Sequence, residues 1–230
     1  NAMGGREVGA LANQLSAHRN LADPQHRAEV AALWGVPEVP ATPGKAAVEL
    51  FEAAADGQIK LLWIACTNPA HSLPDQALVR RALQRAEYVV VQDAYATGAT
   101  ARYADLLLPA STWGEKTGTV TNSERRISRV RAAVPPAGQA RHDWQIALQF
   151  ARRLEARLRP GAPTLFPYAD GGVSDEAAAE AIWNEHREST RGRDLDITGL
   201  SYELLDRAGP QQWPCPPAAG GGAVAGTARL

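Results

Sequence analysis

Three short apolar runs constrain the fold of this chain more than any other feature. They occupy residues 61–65, 88–91 and 105–108, and each ends in polar residues or proline. Helix-like or loop segments separate them, a pattern typical of buried parallel strands in an α/β sheet. Ligands bind at the carboxyl ends of the strands in such sheets. The candidate binding residues are therefore those that follow the runs, namely Thr67, Asn68, Gln92, Asp93 and residues 110–113.

Helical patterns flank the three predicted strands. Asp75, after Pro74, opens a helix that returns the chain for the right-handed crossover that parallel pairing requires. Capping residues and periodic apolar positions predict further helices at residues 6–18, 25–35, 42–57, 143–158 and 174–186. Residues 113–131 are rich in turns and show no clean period.

The expected fold class is a Rossmann-like, mostly parallel α/β sheet flanked by helices, followed by an irregular helical and extended extension. We predict a dinucleotide-binding lobe at residues 1–112 and a loop-rich, helical extension packed on it at residues 113–213. The Pro/Gly/Ala-rich residues 214–230 are predicted to form a flexible tail.

The composition argues against several classes of function. The 24 basic residues are balanced by 25 acidic ones, so the 230-residue chain has no net field to attract nucleic acid or an acidic membrane. No apolar run reaches membrane-spanning length. Two cysteines are too few for a disulfide scaffold or a four-ligand metal site, and they fit a reducing compartment. We expect a cytoplasmic protein that binds neither nucleic acid nor membrane.

The residues at the strand ends have both binding and structural interpretations. The Asn68 amide could bind a ligand, although an Asx turn is the commoner role of asparagine before proline. The Asp93 carboxylate could accept from ribose hydroxyls, as an acidic residue does in dinucleotide folds, or it could cap the next segment. Gln92 adds a second donor and acceptor. The first strand is not followed by Gly-x-Gly-x-x-Gly, so the ordinary NAD fingerprint is absent.

Two residues beyond the strands carry charges that suit a guanine nucleotide. Lys116 could neutralise a phosphate, or it could be a solvated surface lysine. Asp143, at the start of a long helix, could accept from both N1–H and N2–H of guanine, or it could serve as a cap. The five histidines lack metal-ligand spacing, and Cys66 has no partner that would make it a nucleophile. These residues indicate a crevice for a nucleotide-like ligand and leave the reaction open.

The motifs as a set resemble the molybdopterin oxidoreductases of the dimethyl sulfoxide reductase family. Five of them follow the family's order and spacing: CTNP at 66–69, VVVQD at 89–93, RYADLLLPA at 102–110, WGEKTGTVTNSERR at 113–126 and HDW at 142–144. The segments at 3–9 (MGGREVG), 190–202 and 209–213 (GPQQW) are similar to the assimilatory nitrate reductase branch in particular.

The resemblance implies a cofactor and a reaction. In these enzymes two molybdopterin guanine dinucleotides hold one molybdenum, which transfers an oxygen atom from nitrate and takes two electrons from an iron-sulfur cluster. The positions that match residues holding one dinucleotide are Asn68, Gln92, Asp93, Lys116 and Asp143. Arg6 matches an arginine of the substrate funnel, where a guanidinium would orient the nitrate oxyanion.

The resemblance also implies that the chain is an internal fragment of a multidomain enzyme. It has no cysteine cluster for iron-sulfur, and the molybdenum-ligating cysteine of related nitrate reductases lies upstream of Met3. We therefore expect no catalytic residue, no metal ligand and no bound cofactor here. Activity should require the remaining domains of the polypeptide and an electron-donor protein or subunit. The family's α/β domain is discontinuous, so a fragment should expose a sheet edge or an apolar face, which favours self-association.

Two alternatives remain open. Formate dehydrogenases share much of the pattern, so the assignment of nitrate as substrate depends on the segments at 3–9 and 209–213. A structural module of a respiratory complex that has lost its cofactor is the other alternative. The intact set of Asn68, Asp93, Lys116 and Asp143 argues against a structural module, because a scaffold does not need these groups together.

Overall fold

The computed structural model describes residues 2–168 and 175–217. In chain order the elements are α1 (Ala2–Glu7), β1 (Gln14–Leu15), β2 (Arg19–Asn20), α2 (Pro24–Trp34), α3 (Ala47–Ala55), β3 (Leu61–Ala65), α4 (Pro69–Ser72), α5 (Gln76–Arg85), β4 (Tyr88–Asp93), β5 (Leu106–Pro109), β6 (Gly118–Thr121), β7 (Arg126–Val130), α6 (Asp143–Leu158), α7 (Asp175–Ser189), α8 (Tyr202–Ala208) and β8 (Gln211–Gln212). Short 3₁₀ helices occur at Thr100–Tyr103 and Trp113–Glu115.

The chain divides into two compact units. The parallel-sheet unit comprises Lys45–Lys116 and Ala133–Thr164, and the antiparallel unit comprises Asn1–Gly44, Thr117–Ala132 and Leu165–Leu230. These bounds do not coincide with the predicted division between residues 112 and 113. The difference arises because each unit is assembled from segments that are far apart in the sequence.

The sheet of the parallel-sheet unit confirms the predicted fold class. Its strands pair in parallel in the order β3-β4-β5. Ala65 lies beside Gln92, and Asp93 lies beside Pro109, so the strands end at one common edge. Residues that follow the strands therefore lie near one another at this edge.

Helices α3 and α5 share a buried core with one face of this sheet. The helix α5 begins as predicted, because the Asp75 side chain accepts a hydrogen bond from the Leu78 backbone N–H. The helix α3 begins at Ala47, later than predicted, where the Glu49 side chain accepts from the Ala46 backbone N–H. The largest side chains of the core are Phe51, Leu62, Ile64, Val79, Leu83, Val89 and Val91.

The other face of the sheet is partly exposed. Helix α6 has its predicted bounds, and its Phe150 packs edge to face on Trp63 with 4.9 Å between the ring centroids. Beside this pair, Leu61, Tyr88 and Leu106 are 53%, 42% and 40% exposed. They line a groove of about 820 Å³. The expected apolar face is therefore present, and self-association through it remains a prediction.

The antiparallel unit contains a sheet that was not predicted. Its strands pair in the order β6-β7-β8, within residues expected to be irregular. The β6–β7 turn depends on Asn122, whose side chain accepts from the backbone N–H groups of Glu124 and Arg126. The core of this unit includes Ile127, Trp183, Leu195, Ile197, Leu200, Tyr202, Leu205 and Trp213.

The single helix predicted over residues 6–18 is wrong. The helix α1 ends at Glu7, and β1 pairs with β2 in an antiparallel hairpin. Gly9 has a φ of 79° and lies so close to the Leu15 backbone that a Cβ would come within 2.4 Å of it. The chain folds back at this glycine, which the spacing of the apolar residues could not indicate.

The remaining helix predictions have mixed outcomes. The helix α2 is confirmed, with Asp23 as N-cap and Gly35 as a left-handed C-cap. The helix α7 extends to Ser189, beyond its predicted end. Ser174, the proposed cap of α7, and residues 218–230 of the predicted tail lie outside the described residues. Within the described ranges, each helix is too short or too polar to cross a bilayer.

Candidate nucleotide-binding site

A cluster of four side chains lies at the carboxyl edge of the parallel sheet, and Asp143 is its centre. Lys116 Nζ donates to Asp143 Oδ2 at 2.8 Å. Gln92 Nε2 donates to Asp143 Oδ1 at 2.8 Å, and Cys66 Sγ donates to the same oxygen at 3.2 Å. The structure therefore brings together Gln92, Lys116 and Asp143, three of the residues predicted to bind the cofactor. The side chain of Asp143 bonds to other segments of the chain rather than acting as a helix cap.

Both the oxygen and the nitrogen of the Gln92 side-chain amide are hydrogen-bonded within the protein. It is the fifth residue of β4 and is only 4% exposed. Its Oε1 accepts from Trp63 Nε1 at 3.2 Å, while its Nε2 donates to Asp143. A buried amide with both ends bonded orients the carboxylate and has little freedom to contact a ligand itself.

Cys66 is placed by the backbone directly after β3. Its φ of 55° lies in the left-handed region, which is uncommon for a residue other than glycine. Its backbone N–H donates to the Gln92 carbonyl at 2.8 Å, so the position is fixed. Burial, together with the hydrogen bond to Asp143 and the charge of that residue, raises the pKa of the Cys66 thiol to about 11. The thiol is therefore a protonated donor at neutral pH.

The carboxylate of Asp143 is held in its charged form. Burial acts to raise its pKa, but the hydrogen bonds from Lys116, Gln92 and Cys66 and the charge of Lys116 outweigh burial, so that the pKa is lowered. Its side chain is 32% exposed and that of Lys116 is 23% exposed. A charged carboxylate that is partly exposed can accept a further hydrogen bond from a ligand.

Asn68 and Asp93 lie near the ends of β3 and β4, and the side chain of each bonds to the segment that follows β4. Asn68 Oδ1 accepts from the Thr100 hydroxyl at 2.6 Å and from its backbone N–H at 3.0 Å, so it holds the 94–104 loop instead of closing an Asx turn. Among the described residues, none accepts from the Asn68 Nδ2. Asp93 Oδ1 accepts from the Tyr95 backbone N–H at 3.1 Å, which closes an Asx turn. It does not cap a helix, because the next helix begins only at Thr100.

Arg6 belongs to the antiparallel unit. It is exposed in the last turn of α1. Its assignment to a substrate funnel remains a prediction.

Sequence reasoning missed one member of the cluster, Cys66, and it named Trp113, within residues 110–113, without the contact of this residue with Lys116. Cys66 follows a strand in the same way as Asn68, and this position is the signal that could have identified it. As a nucleophile Cys66 lacks an activating partner, so the residue was not predicted to belong to the site. Trp113 lies with its ring centroid 5.4 Å from Lys116 Nζ and is 57% exposed. This aromatic ring beside the lysine could not be inferred from the sequence, because the contact depends on the 3₁₀ helix at Trp113–Glu115.

A polar cluster at the carboxyl edge of a parallel sheet defines an α/β protein with a candidate nucleotide crevice. The family model for molybdopterin oxidoreductase matches residues 2–153 of this chain. The chain therefore belongs to the molybdopterin oxidoreductase family, which confirms the resemblance of its motifs.

Individual proteins agree with this membership. The nitrate reductase of Synechocystis sp. is 43% identical over 94% of this chain and 28% of its own length. The assimilatory nitrate reductase catalytic subunit of Bacillus subtilis is 41% identical over 94% of this chain and 28% of its own length. The chain thus spans about a quarter of the length of these relatives.

A solved structure supports the fold. Acetylene hydratase from Pelobacter acetylenicus matches with a TM-score of 0.54 and 21% identity, over 79% of this chain and 23% of that protein. At this identity the likeness concerns the fold alone.

Proposed function

We propose that this chain forms the wall that binds one molybdopterin guanine dinucleotide in a molybdenum-dependent nitrate reductase. The observation that carries the proposal is the charged Asp143 carboxylate, which is held at the sheet edge by Lys116 and Gln92. The identities of 43% and 41% to proteins named nitrate reductase support the choice of enzyme.

The residues at the sheet edge fit a guanine dinucleotide. A carboxylate accepts from N1–H and N2–H of guanine together, a pair of donors that adenine lacks. Asp143 Oδ2 accepts from Lys116 and retains acceptor capacity for a second donor. Lys116 supplies a cation suited to the pyrophosphate, and the exposed ring of Trp113 lies beside it.

The remaining predicted residues take different roles in this proposal. Asn68 would use its Nδ2 as a donor to the ligand, since its Oδ1 is bonded to Thr100. Asp93 would accept from a ribose hydroxyl with the capacity left after its bond to Tyr95. Gln92 would act through Asp143, because both ends of its amide are bonded within the protein.

The complete enzyme is expected to reduce nitrate to nitrite. When bound, the molybdenum cofactor would supply the two-electron oxygen-atom transfer, with electrons from an iron-sulfur cluster in another part of the polypeptide. Arg6 would attract and orient nitrate. We expect a cytoplasmic enzyme that receives electrons from a donor protein or subunit, and we expect the 230-residue chain alone to be inactive.

Binding of simple nucleotides tests the proposed site. Titration calorimetry of the 230-residue chain should show that GDP binds more tightly than ADP. Asp143→Asn should weaken GDP binding by about tenfold or more, because hydrogen bonds to a charged group contribute about 1.5–3 kcal/mol. The same substitution should leave ADP binding nearly unchanged.

Asp75→Asn is the matched control, since Asp75 is also an aspartate at a helix start of the parallel-sheet unit but caps α5. It should keep the preference for GDP. Equal affinities of the wild type for GDP and ADP would contradict the proposed site.

The proposed reaction is tested separately in the full-length enzyme. Nitrate-dependent oxidation of a reduced dye should slow in Arg6→Ala and in Asp93→Ala. Unchanged rates in both variants would remove these two residues from the proposal.

A cofactor-free structural module is the second candidate. One observation favours it, because donors from the protein itself already engage both oxygens of Asp143. A structural module needs these bonds only for its fold, so it should show no preference for GDP over ADP. A formate dehydrogenase would retain the nucleotide preference and would oxidise formate in place of reducing nitrate.

A further inference from the structure

The two oxygens of Asp143 are unequally occupied. Oδ2 accepts one hydrogen bond, from Lys116, whereas Oδ1 accepts two, from Gln92 and Cys66. Each carboxylate oxygen has about two lone-pair sites. Oδ1 therefore has no room for a further donor until one of its partners leaves.

The guanine edge needs both oxygens at once. Its N1–H and N2–H form parallel hydrogen bonds to the two oxygens of one carboxylate, as a bidentate donor does. One of the bonds to Oδ1 must therefore be exchanged. The bond from Gln92 is short, and this residue is buried and also bonded to Trp63. The bond from Cys66 is longer, at 3.2 Å, and a thiol is a weak donor.

We infer that the Cys66 thiol is a placeholder donor, which occupies Asp143 Oδ1 in the empty site and is replaced by an N–H group of guanine when the nucleotide binds. This inference rests on the proposed function of the site. Cys66 is thus a positioning residue that keeps the carboxylate bonded and oriented, while its bond remains weak enough to exchange.

The backbone around Cys66 makes the inference testable by substitution. Its N–H bond to Gln92 and its left-handed φ of 55° hold the Cβ in place. Serine and alanine have the same Cβ and meet the same backbone strain. They differ in the donor that they present to Asp143, because serine offers a stronger one and alanine offers none.

Affinity for GDP provides the first test. Cys66→Ser should bind GDP about tenfold more weakly than the wild type in titration calorimetry, because a hydroxyl bonded to a carboxylate is harder to displace. Cys66→Ala should bind GDP at least as tightly as the wild type. The affinity for ADP should be nearly the same in all three proteins. Circular dichroism checks that each variant is folded.

The S–H stretching band in infrared spectra provides a second test, which a role in packing alone would not affect. The band assigned to Cys66 by its loss in Cys66→Ala should move to higher frequency on addition of GDP and stay in place with ADP. Cys215, which is fully buried in the antiparallel unit, provides an internal reference band.

The outcomes separate this inference from the function on which it rests. GDP binding with an unmoved Cys66 band, or equal GDP affinity in Cys66→Ser and wild type, would overturn the placeholder role and leave the guanine site standing. Failure of all three proteins to prefer GDP over ADP would overturn the proposed function, and the inference with it.

Discussion

Glu7 in the antiparallel unit and Asp143 in the parallel-sheet unit are carboxylates in opposite surroundings. Glu7 is 4% exposed and accepts from two neutral donors, Trp213 Nε1 at 2.7 Å and Thr121 Oγ1 at 2.8 Å. Its burial raises its pKa, although both hydrogen bonds and the charge of His18 act in the other direction. Asp143 is partly exposed and has a lysine partner, and its pKa is lowered.

The comparison shows that burial and the charge of the partner decide what a carboxylate can do. Glu7 joins α1, β6 and the segment after β8 within one core, so its hydrogen bonds hold the fold together. Asp143 retains access to solvent and a stable charge, which a ligand can use. Loss of Glu7 should therefore affect stability most, and loss of Asp143 should affect binding most.

The largest expected effect is that of Glu7→Ala. It should lower the free energy of unfolding by about 3 kcal/mol, because the Trp213 and Thr121 donors would be left buried without an acceptor. Urea denaturation measures this loss. Glu7→Gln is the matched control and should lose about 1 kcal/mol or less, since it keeps the carbonyl acceptor for Trp213. Equal losses in both variants would show that the hydrogen bonds of Glu7 do not hold this core.

Gln92→Leu should have the next largest effect. Gln92 is as buried as Glu7 but uncharged. This variant therefore tests whether burial alone makes a polar side chain important for the free energy of unfolding. The loss should be about 1–2 kcal/mol in urea denaturation, because Trp63 Nε1 loses its acceptor and Asp143 loses a donor. Gln84→Leu on the exposed surface of α5 should change stability by less than about 0.5 kcal/mol. An equally small change for Gln92→Leu would show that burial of a polar side chain does not by itself make it important for stability.

Asp143→Asn should change stability less than either substitution above. Its ion pair with Lys116 is partly exposed, at 32% and 23% for the two side chains, so the expected loss is below about 1 kcal/mol. Thermal denaturation measures it, with Glu87→Gln in the exposed Lys60–Glu87 pair as the reference for a negligible change. A loss of stability as large as that expected for Glu7→Ala would assign Asp143 a structural role. Glu7 and Asp143 would then not differ in the way described.

The smallest effects concern pH and have opposite signs. The folded-state pKa of Glu7 is raised above 4.5, so the stability that this residue contributes is present below that value and lost as the pH rises through the folded-state pKa. The folded-state pKa of Asp143 is lowered below 3.8, so its contribution is present above that value and lost as the pH falls through the folded-state pKa.

Urea midpoints across the acid range measure these slopes. With rising pH, the wild type should lose stability relative to Glu7→Gln and gain stability relative to Asp143→Asn. Slopes of the same sign would show that the two surroundings do not differ as described.

Much of the parallel-sheet unit was predictable because its signals are local. The strands β3, β4 and β5 were found from apolar runs, α5 from Asp75, and α6 from the periodicity of its apolar residues. The antiparallel unit was predicted less well, since the hairpin of β1 and β2 depends on the close approach of Gly9 and Leu15. Apolar spacing within one segment contains no information about such a contact.

The sequence by itself determined the sheet, the common edge at which its strands end, and the polar residue types placed there. These follow from apolar runs and caps, which act over a few residues. Only the tertiary structure decided that Gln92 and Cys66 bond to one oxygen of Asp143, from positions 51 and 77 residues away. Hydrogen bonds between distant segments depend on the packing of the whole unit, so the exchange of donors at Asp143 could be inferred only once the fold had brought them together.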